Sequence, residues 1–293
     1  MTQSEYPSVL LIYTGGTIGM IENPETGALE AFNFDQLQDN VPELKRFNYR
    51  ISSYQFNPPI DSSDMEPALW AKLVKIIKYN YDNFDGFVIL HGTDTMAYTA
   101  SALSFMLENL SKPVILTGSQ LPIGMLRTDG KENLITSIEI AAAKHPDGTA
   151  IVPEVCIFFE NHLLRGNRTN KINAENFNAF RSYNFPSLAT AGIHIKYEYD
   201  RIHKADPNLP LKPHYLYDTN VIILTLFSGH PGKHDQQYPA YTGITRSGIK
   251  DLRFGQRSAK TVVHRTSKGC HLTGNHHCQH LPMLYWNSGN GKV

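Results

Sequence analysis

The strongest indication of the fold is the apolar segment Ser8-Val9-Leu10-Leu11-Ile12 and the turn that follows it, Tyr13-Thr14-Gly15-Gly16-Thr17-Ile18-Gly19. An apolar run that ends in a glycine-rich turn predicts a buried strand of a parallel sheet. The turn then lies at the carboxyl edge, where open α/β sheets hold their active sites. It lacks the lysine and the spacing of a phosphate-binding loop. Its threonines therefore suggest a hydroxyl nucleophile, and the alternative is a purely structural turn.

The same order of apolar strand, polar loop and helix repeats along the chain. Further strands are expected at 49–56, 86–90, 114–117, 155–159 and 221–226, and helices at 66–79, 97–110 and 132–143. Ser63 or Asp64 is expected to cap the first helix, with Pro67 in its first turn. This order predicts an α/β fold. Its N-terminal domain has a parallel sheet with the active site at the strand carboxyl ends, and a smaller α/β domain begins after it.

Composition excludes several classes of protein. No stretch reaches the roughly 18 apolar residues of a membrane span, so we expect no membrane partner. The first five residues lack the basic start of a signal peptide. Cys156, Cys270 and Cys278 are too few for a disulfide framework, so we expect a cytoplasmic protein.

Hydroxyl and carboxyl side chains follow three of the predicted strands. Because neighbouring strands of a sheet lie about 5 Å apart, groups at their ends can converge. The candidates are Thr14 and Thr17, Ser62 and Ser63, and Thr93 and Asp94.

A threonine nucleophile needs a base. His91, at a strand end, is one possibility, but it can equally be a packed structural residue. A desolvated lysine can serve instead, and Lys171 is the best-placed candidate. The alternative for Lys171 is a solvated surface position, and sequence spacing alone does not decide between them.

Several motifs together resemble the bacterial L-asparaginases, and most closely the cytoplasmic type I group. They are Tyr-Thr-Gly-Gly-Thr-Ile-Gly at 13–19, Asp-Ser-Ser-Asp-Met at 61–65, His-Gly-Thr-Asp-Thr-Met at 91–96, Thr-Gly-Ser-Gln at 117–120 and Arg-Gly-Asn-Arg-Thr-Asn-Lys at 165–171. The resemblance runs from about Val9 to Phe227. It implies an enzyme that hydrolyses L-asparagine to L-aspartate and ammonia, without a metal or an organic cofactor.

The resemblance also assigns roles to the candidate residues. Thr17 is the implied nucleophile, with Thr14 a secondary possibility. A proton-relaying group is implied for Thr93, Asp94 and Lys171. Substrate binding is implied for Asp61, Ser62, Ser63, Thr93 and Asp94.

The implied assembly is a homodimer or homotetramer, with no nucleic acid as a partner. Two positions depart from the family. Ala28 stands where the flap usually carries a tyrosine, and Asn170 replaces a threonine that some relatives use in allosteric control.

The chain changes character at Ser228. From there to the end it has nine basic and two acidic residues and no glutamate. Deleting one T from the codons of Phe227-Ser228 gives a frame that spells the family's Phe-Pro-Gly-Ile. In that displaced frame Met283 with Leu284 must give cysteine, as the family has there. We therefore expect a single-base insertion that miscodes the tail.

Two other interpretations of the tail stay open. One is a metal site formed by Cys270, His271, His276, His277, Cys278 and His280, although their spacing is not a standard one for zinc. The other is a basic nucleic-acid-binding tail. Under the preferred interpretation, the chain comprises a catalytic domain at 1–197, a linker at 198–212, the first strand of the second domain at 213–227 and an out-of-frame, disordered tail at 228–293.

Alternatives to an asparaginase are a glutaminase-asparaginase of broader amide specificity and a truncated product without activity. A tRNA-dependent amidotransferase subunit shares Thr-Gly-Gly-Thr but carries an extra domain before it. Kinetics on asparagine and glutamine would separate an asparaginase from a glutaminase-asparaginase.

Overall fold

The predicted first strand is part of a buried parallel sheet, one strand in from its edge. The computed structural model describes residues 6–22, 29–31, 41–218, 221–225, 260–266 and 269–273, with side chains at 6–20 and 41–218. Strand β1 spans Ser8–Tyr13, and all six of its residues are buried. It pairs in parallel with a strand on each side, so Leu11 lies between Ser53 and Val88.

The remaining elements follow the predicted alternation closely. The helices are α1 Pro67–Asn80, α2 Met96–Met106 and α3 Gly130–Ala142. The next strands along the chain are β2 Met20–Glu22, β3 Leu29–Ala31, β4 Arg50–Gln55, β5 Gly86–Leu90, β6 Leu107–Glu108, β7 Val114–Thr117 and β8 Val155–Phe159. The later strands are β9 His162–Arg165, β10 Asn170–Lys171, β11 Phe180–Arg181, β12 Ala189–Ala191, β13 Ile195–Tyr197, β14 Lys212–Pro213, β15 Val221–Thr225, β16 Lys260–Thr266 and β17 Gly269–Thr273.

The main sheet has eight strands in the order β13-β12-β9-β8-β7-β5-β1-β4. Helices cover both faces of its parallel part, which explains the unbroken apolar runs. Val9, Leu11 and Val88 pack against Leu134 and Ile138 of α3. Strand side chains alternate between faces, so the intervening residues Leu10 and Ile12 point to the opposite face.

The sheet is parallel from β4 to β8. The strands β9, β12 and β13 beyond β8 pair in antiparallel fashion, which was not predicted from the sequence. Strands β8 and β9 are joined by Glu160 and Asn161 alone, and both residues have positive φ, 44° and 64°. A two-residue hairpin needs such a conformation because it matches the twist of the flanking strands. The predicted α/β class with a largely parallel sheet is confirmed, with this antiparallel edge added.

The predicted cap of α1 is wrong. Ser62–Asp64 forms a short 3-10 helix of its own, capped by Asp61, whose carboxylate accepts from the Ser63 amide. The cap residue of α1 is Glu66, and Pro67 occupies the first turn as expected.

The chain divides into two compact units. The first contains the described residues up to Leu216, including the predicted linker 198–212, in which Ile202 and Leu211 are buried. The second contains β15, β16 and β17, which form an antiparallel three-stranded sheet. The predicted boundaries, and the out-of-frame origin of residues 228–293, stay predictions. Within the described residues, no helix is both long enough and apolar enough to cross a membrane.

Candidate active site

Three strands end level with one another at the carboxyl edge. Tyr13 of β1 lies opposite Leu90 of β5, and Leu90 lies opposite Thr117 of β7. The polar loops that follow these strands therefore start side by side.

The loops after β1 and β5 are in direct contact through two glycines. A Cβ on Gly16 would lie 2.6 Å from Cα of Gly92, so only glycine fits there. Gly16 also has φ 95°, which disfavours other residues. Thr17 and Thr93 directly follow these glycines. The predicted convergence of the two threonines therefore rests on a close backbone contact.

The loop after β4 joins the same cluster. A Cβ on Gly92 would lie 2.5 Å from Oγ of Ser62, so the Ser62 side chain packs on that glycine. Thr95 Oγ1 donates to the Ser62 carbonyl at 2.6 Å. Asp61 is exposed, and its carboxylate accepts from the amide and the hydroxyl of Ser63 at 2.9 and 2.8 Å. These two hydrogen bonds lower the pKa of Asp61.

Lys171 reaches the loop that carries Thr93 and Asp94. Its Nζ donates to Thr93 Oγ1 at 2.9 Å and to Asp94 Oδ1 at 2.7 Å. The lysine side chain is 17% exposed, whereas that of Asp94 is 66% exposed. Lys171 is thus a largely covered residue, and the solvated alternative does not describe it. Strand β10, which carries it, is held by pairing with β11.

The two threonines of the first turn differ in their surroundings. Thr14 is buried, and both its amide and its hydroxyl donate to the Leu90 carbonyl at 3.0 Å. Thr17 begins a 3-10 helix, Thr17–Gly19, and is half-buried. Because the Thr14 hydroxyl already donates its proton to the Leu90 carbonyl of β5, this arrangement favours Thr17 as the nucleophile.

Tyr13 and His91 support these loops from below. Tyr13 is buried, and its hydroxyl donates to the carbonyls of Gly16 and Gly19 at 3.3 and 3.2 Å, on either side of Thr17. Burial raises the pKa of Tyr13 to about 12. His91 is also buried, and this lowers its pKa to about 4. His91 is therefore a neutral, packed residue in this structure.

Gln120, the last residue of the Thr-Gly-Ser-Gln motif at 117–120, is not among the predicted site residues. Gln120 Oε1 accepts from Thr93 Oγ1 at 3.4 Å, and its Nε2 donates to the carbonyls of Ala174 and Asn176 at 3.2 and 3.0 Å. Its own amide is held by the carboxylate of Asp129. Gln120 thus connects Thr93 with the loop that follows Lys171.

No cluster of three metal-ligating side chains occurs among the residues whose side chains are described. The tail site proposed from Cys270 to His280 lies outside the described side chains, as does the flap position Ala28.

A hydroxyl at a strand end, a covered ammonium and carboxylates on neighbouring loops form an arrangement suited to acyl transfer. The family described as "Asparaginase, N-terminal" matches residues 8–203. The chain belongs to the asparaginase family. The resemblance noted from the motifs is confirmed by this match.

Two curated relatives and one solved structure define the likeness. The chain is 50% identical over 194 residues to L-asparaginase 1 of Escherichia coli strain K12, covering 64% of this chain and 54% of that protein. It is 42% identical over 245 residues to the 60 kDa lysophospholipase of Homo sapiens, covering 76% and 42%. The crystal structure of L-asparaginase I from Vibrio cholerae O1 biovar eltor has 41% identity and a TM-score of 0.69, covering 78% of this chain and 66% of that one. The chain thus spans about half the length of the curated relatives it matches.

Proposed function

We propose that the protein hydrolyses L-asparagine to L-aspartate and ammonia, with Thr17 as the nucleophile. The observation that carries this proposal is the contact of Lys171 Nζ with both Thr93 Oγ1 and Asp94 Oδ1. Through the Gly16–Gly92 contact, this group lies beside the turn that bears Thr17. Family membership supports the same reaction.

The reaction proceeds in two halves. Oγ1 of Thr17 attacks the side-chain carboxamide carbon, and its proton passes through Thr93 and Lys171 to the leaving nitrogen. The C–N bond breaks, ammonia departs and an aspartyl ester remains on Thr17. Water then attacks the ester carbon, the bond from that carbon to Thr17 Oγ1 breaks, and the proton that water loses passes to the Thr17 oxygen as aspartate is released. Each N–H donor aimed at the tetrahedral oxyanion contributes on the order of 3 kcal/mol.

Charge assigns the substrate contacts. The carboxylates of Asp61 and Asp94 suit the α-ammonium group of the amino acid, and the Ser62 hydroxyl suits its α-carboxylate. The Ser63 hydroxyl donates to Asp61, so Ser63 takes part in binding by orienting that carboxylate. The lowered pKa of Asp61 keeps that group ionised at neutral pH. Thr93 lies next to this cluster and takes part in both binding and the relay.

The alternative is a glutaminase-asparaginase. Glutamine is longer than asparagine by one methylene, and such a difference is worth only about 1–3 kcal/mol in a pocket. The ratio of kcat/KM for the two amides therefore tests the substrate. A ratio within about tenfold supports the broader enzyme.

We also propose that the protein acts in the cytoplasm and that its intact form is a homodimer or homotetramer. The tail from Ser228 onward is proposed to be read out of frame. Made as written, the 293-residue chain is expected to be weakly active at best. Sequencing the gene across the Phe227 codon tests the frame, and the absence of an extra T relative to close relatives contradicts it.

The activity test compares two chains. One is the 293-residue chain, and the other is expressed after deletion of one T at Phe227. We expect the second to release ammonia from asparagine at about 10 per second, and Thr17→Ala to abolish this release. Activity retained by Thr17→Ala would remove Thr17 as the nucleophile. Ordinary turnover by the 293-residue chain would contradict the proposed effect of the tail. A lysophospholipid serves as a second test substrate, because one relative is named a lysophospholipase.

A further inference from the structure

A chain of three hydrogen bonds lies beneath the loop that carries Thr93. Trp70 Nε1 of α1 donates to Thr99 Oγ1 of α2 at 2.9 Å. Thr99 Oγ1 lies 2.9 Å from His91 Nε2, and His91 Nδ1 lies 2.7 Å from the Gly92 carbonyl oxygen. Thr99 and His91 are buried.

The carbonyl end of this chain fixes the tautomer of His91. A carbonyl oxygen can only accept, so the proton of the neutral imidazole is on Nδ1, where it is donated to Gly92. Nε2 is then unprotonated and accepts from the Thr99 hydroxyl, which itself accepts from the Trp70 indole N–H. The opposite tautomer would set the lone pair of Nδ1 against the carbonyl oxygen at 2.7 Å.

The carbonyl at the end of the chain belongs to the residue on which the site converges. Gly92 packs against Gly16 on one side and against the Ser62 side chain on the other, and the peptide bond of its carbonyl leads directly to Thr93. A rotation of this peptide would move Thr93 Oγ1 relative to Lys171 Nζ, which lies 2.9 Å away.

We infer that Thr99, held by Trp70, donates to Nε2 of His91 and so stabilises the tautomer whose Nδ1–H holds the Gly92–Thr93 peptide where Thr93 meets Lys171. Trp70, Thr99 and His91 are positioning residues, since this chain of hydrogen bonds reaches the site through the Gly92 carbonyl. The inference rests on the proposed function where it assigns Thr93 to the proton relay. The tautomer itself does not depend on that assignment.

The matched variants are Thr99→Val, which removes the hydroxyl at nearly constant volume, and Thr99→Ser, which keeps it. The 293-residue chain is studied by NMR with ¹⁵N-histidine for the imidazole signals and with ¹⁵N-threonine for the Thr93 amide, and His91→Gln and Thr93→Ser variants identify these signals. We expect a protonated Nδ1 and an unprotonated Nε2 in the unaltered chain and in Thr99→Ser. In Thr99→Val we expect the second tautomer to become populated and the Thr93 amide signal to shift. A protonated Nε2 in the unaltered chain, or unchanged His91 and Thr93 signals in Thr99→Val, would overturn the inference.

Kinetics give the second measurement, made in whichever of the two chains described above hydrolyses asparagine. Loss of a buried hydrogen-bond partner predicts a fall in kcat on the order of tenfold for Thr99→Val, with a smaller change in KM. Thr99→Ser should restore kcat. A merely structural role would lower the amount of folded protein without this selective loss of kcat, and that result would overturn the inference. If neither chain hydrolyses asparagine, the proposed function fails, while the tautomer and the Thr93 amide still judge the positioning role.

Discussion

Replacing Lys171 with methionine should separate catalysis from stability. Methionine keeps most of the length of the side chain but removes the ammonium that donates to Thr93 Oγ1 at 2.9 Å and to Asp94 Oδ1 at 2.7 Å. Both bonds are lost together, so the variant removes the implied proton-relaying group in one step.

The structure predicts a small loss of stability. Asp94 is 66% exposed, so water solvates its carboxylate after the substitution. An exposed ion pair contributes about 0.2–1 kcal/mol, and the hydrogen bond to Thr93 about 1 kcal/mol. We expect the free energy of unfolding to fall by roughly 1 kcal/mol.

The predicted loss of activity is much larger. A side chain that transfers protons in the transition state contributes typically about 10²–10⁴ in rate, or roughly 3–6 kcal/mol. The kcat for ammonia release from asparagine should therefore fall at least about 100-fold.

The assay measures kcat and KM together with unfolding in urea, in the chain that hydrolyses asparagine. Lys196→Met is the matched control, since Lys196 is 80% exposed and lies 3.5 Å from Glu198 in a surface pair. Lys196→Met should change neither the kinetic constants nor the free energy of unfolding. Lys171→Arg keeps the charge but cannot give up its proton at neutral pH, so it should also be inactive. If Lys171→Met retains kcat within about threefold, or if Lys171→Arg is fully active, the proton-relay role is refuted.

Three further predictions concern the scaffold. Glu154→Gln breaks an ion pair in which Arg165 donates to the Glu154 carboxylate at 2.5 and 2.9 Å, with Glu154 only 9% exposed. The free energy of unfolding in urea should fall by about 3 kcal/mol. A fall of less than about 1 kcal/mol would contradict this. Tyr13→Phe removes a hydroxyl that donates to the Gly16 and Gly19 carbonyls on either side of Thr17. The value of kcat should fall on the order of tenfold, and the free energy of unfolding by about 1 kcal/mol. An unchanged kcat would exclude a positioning role for Tyr13. His91 has a folded-state pKa of about 4, below the usual 6.5, so the unfolded chain binds more protons between these values. Stability should therefore decrease as the pH falls from 6.5 to 4, by up to about 3 kcal/mol, and an equal slope in a His91→Gln variant would show that other groups cause it.

The strands and most of the helices could be predicted because their signals are local. The apolar runs at Ser8–Tyr13 and Gly86–Leu90 are long enough to identify buried strands, and Pro67 marks the start of α1. The predicted end of α2 was four residues too far. Leu107–Glu108 leaves the helix to pair with Lys212–Pro213, a segment far along the chain that periodicity does not detect. The antiparallel edge was missed because Glu160-Asn161 lacks the glycine that usually signals a two-residue hairpin.

The chemical groups available to the site could be identified from the amino-acid sequence. Gly16 and Gly92 permit the close approach of two loops, and the threonines, serines and carboxylates that follow the strands give hydroxyl and acidic groups. Which of these groups contact one another depends on the folded chain. Lys171 contacts Thr93 across a sequence separation of 78 residues. Likewise, the burial of His91 and its hydrogen bonds to Gly92 and Thr99 make it a positioning residue and not the base. Such contacts depend on the packing of several elements at once, so the spacing of residues along the chain does not predict them.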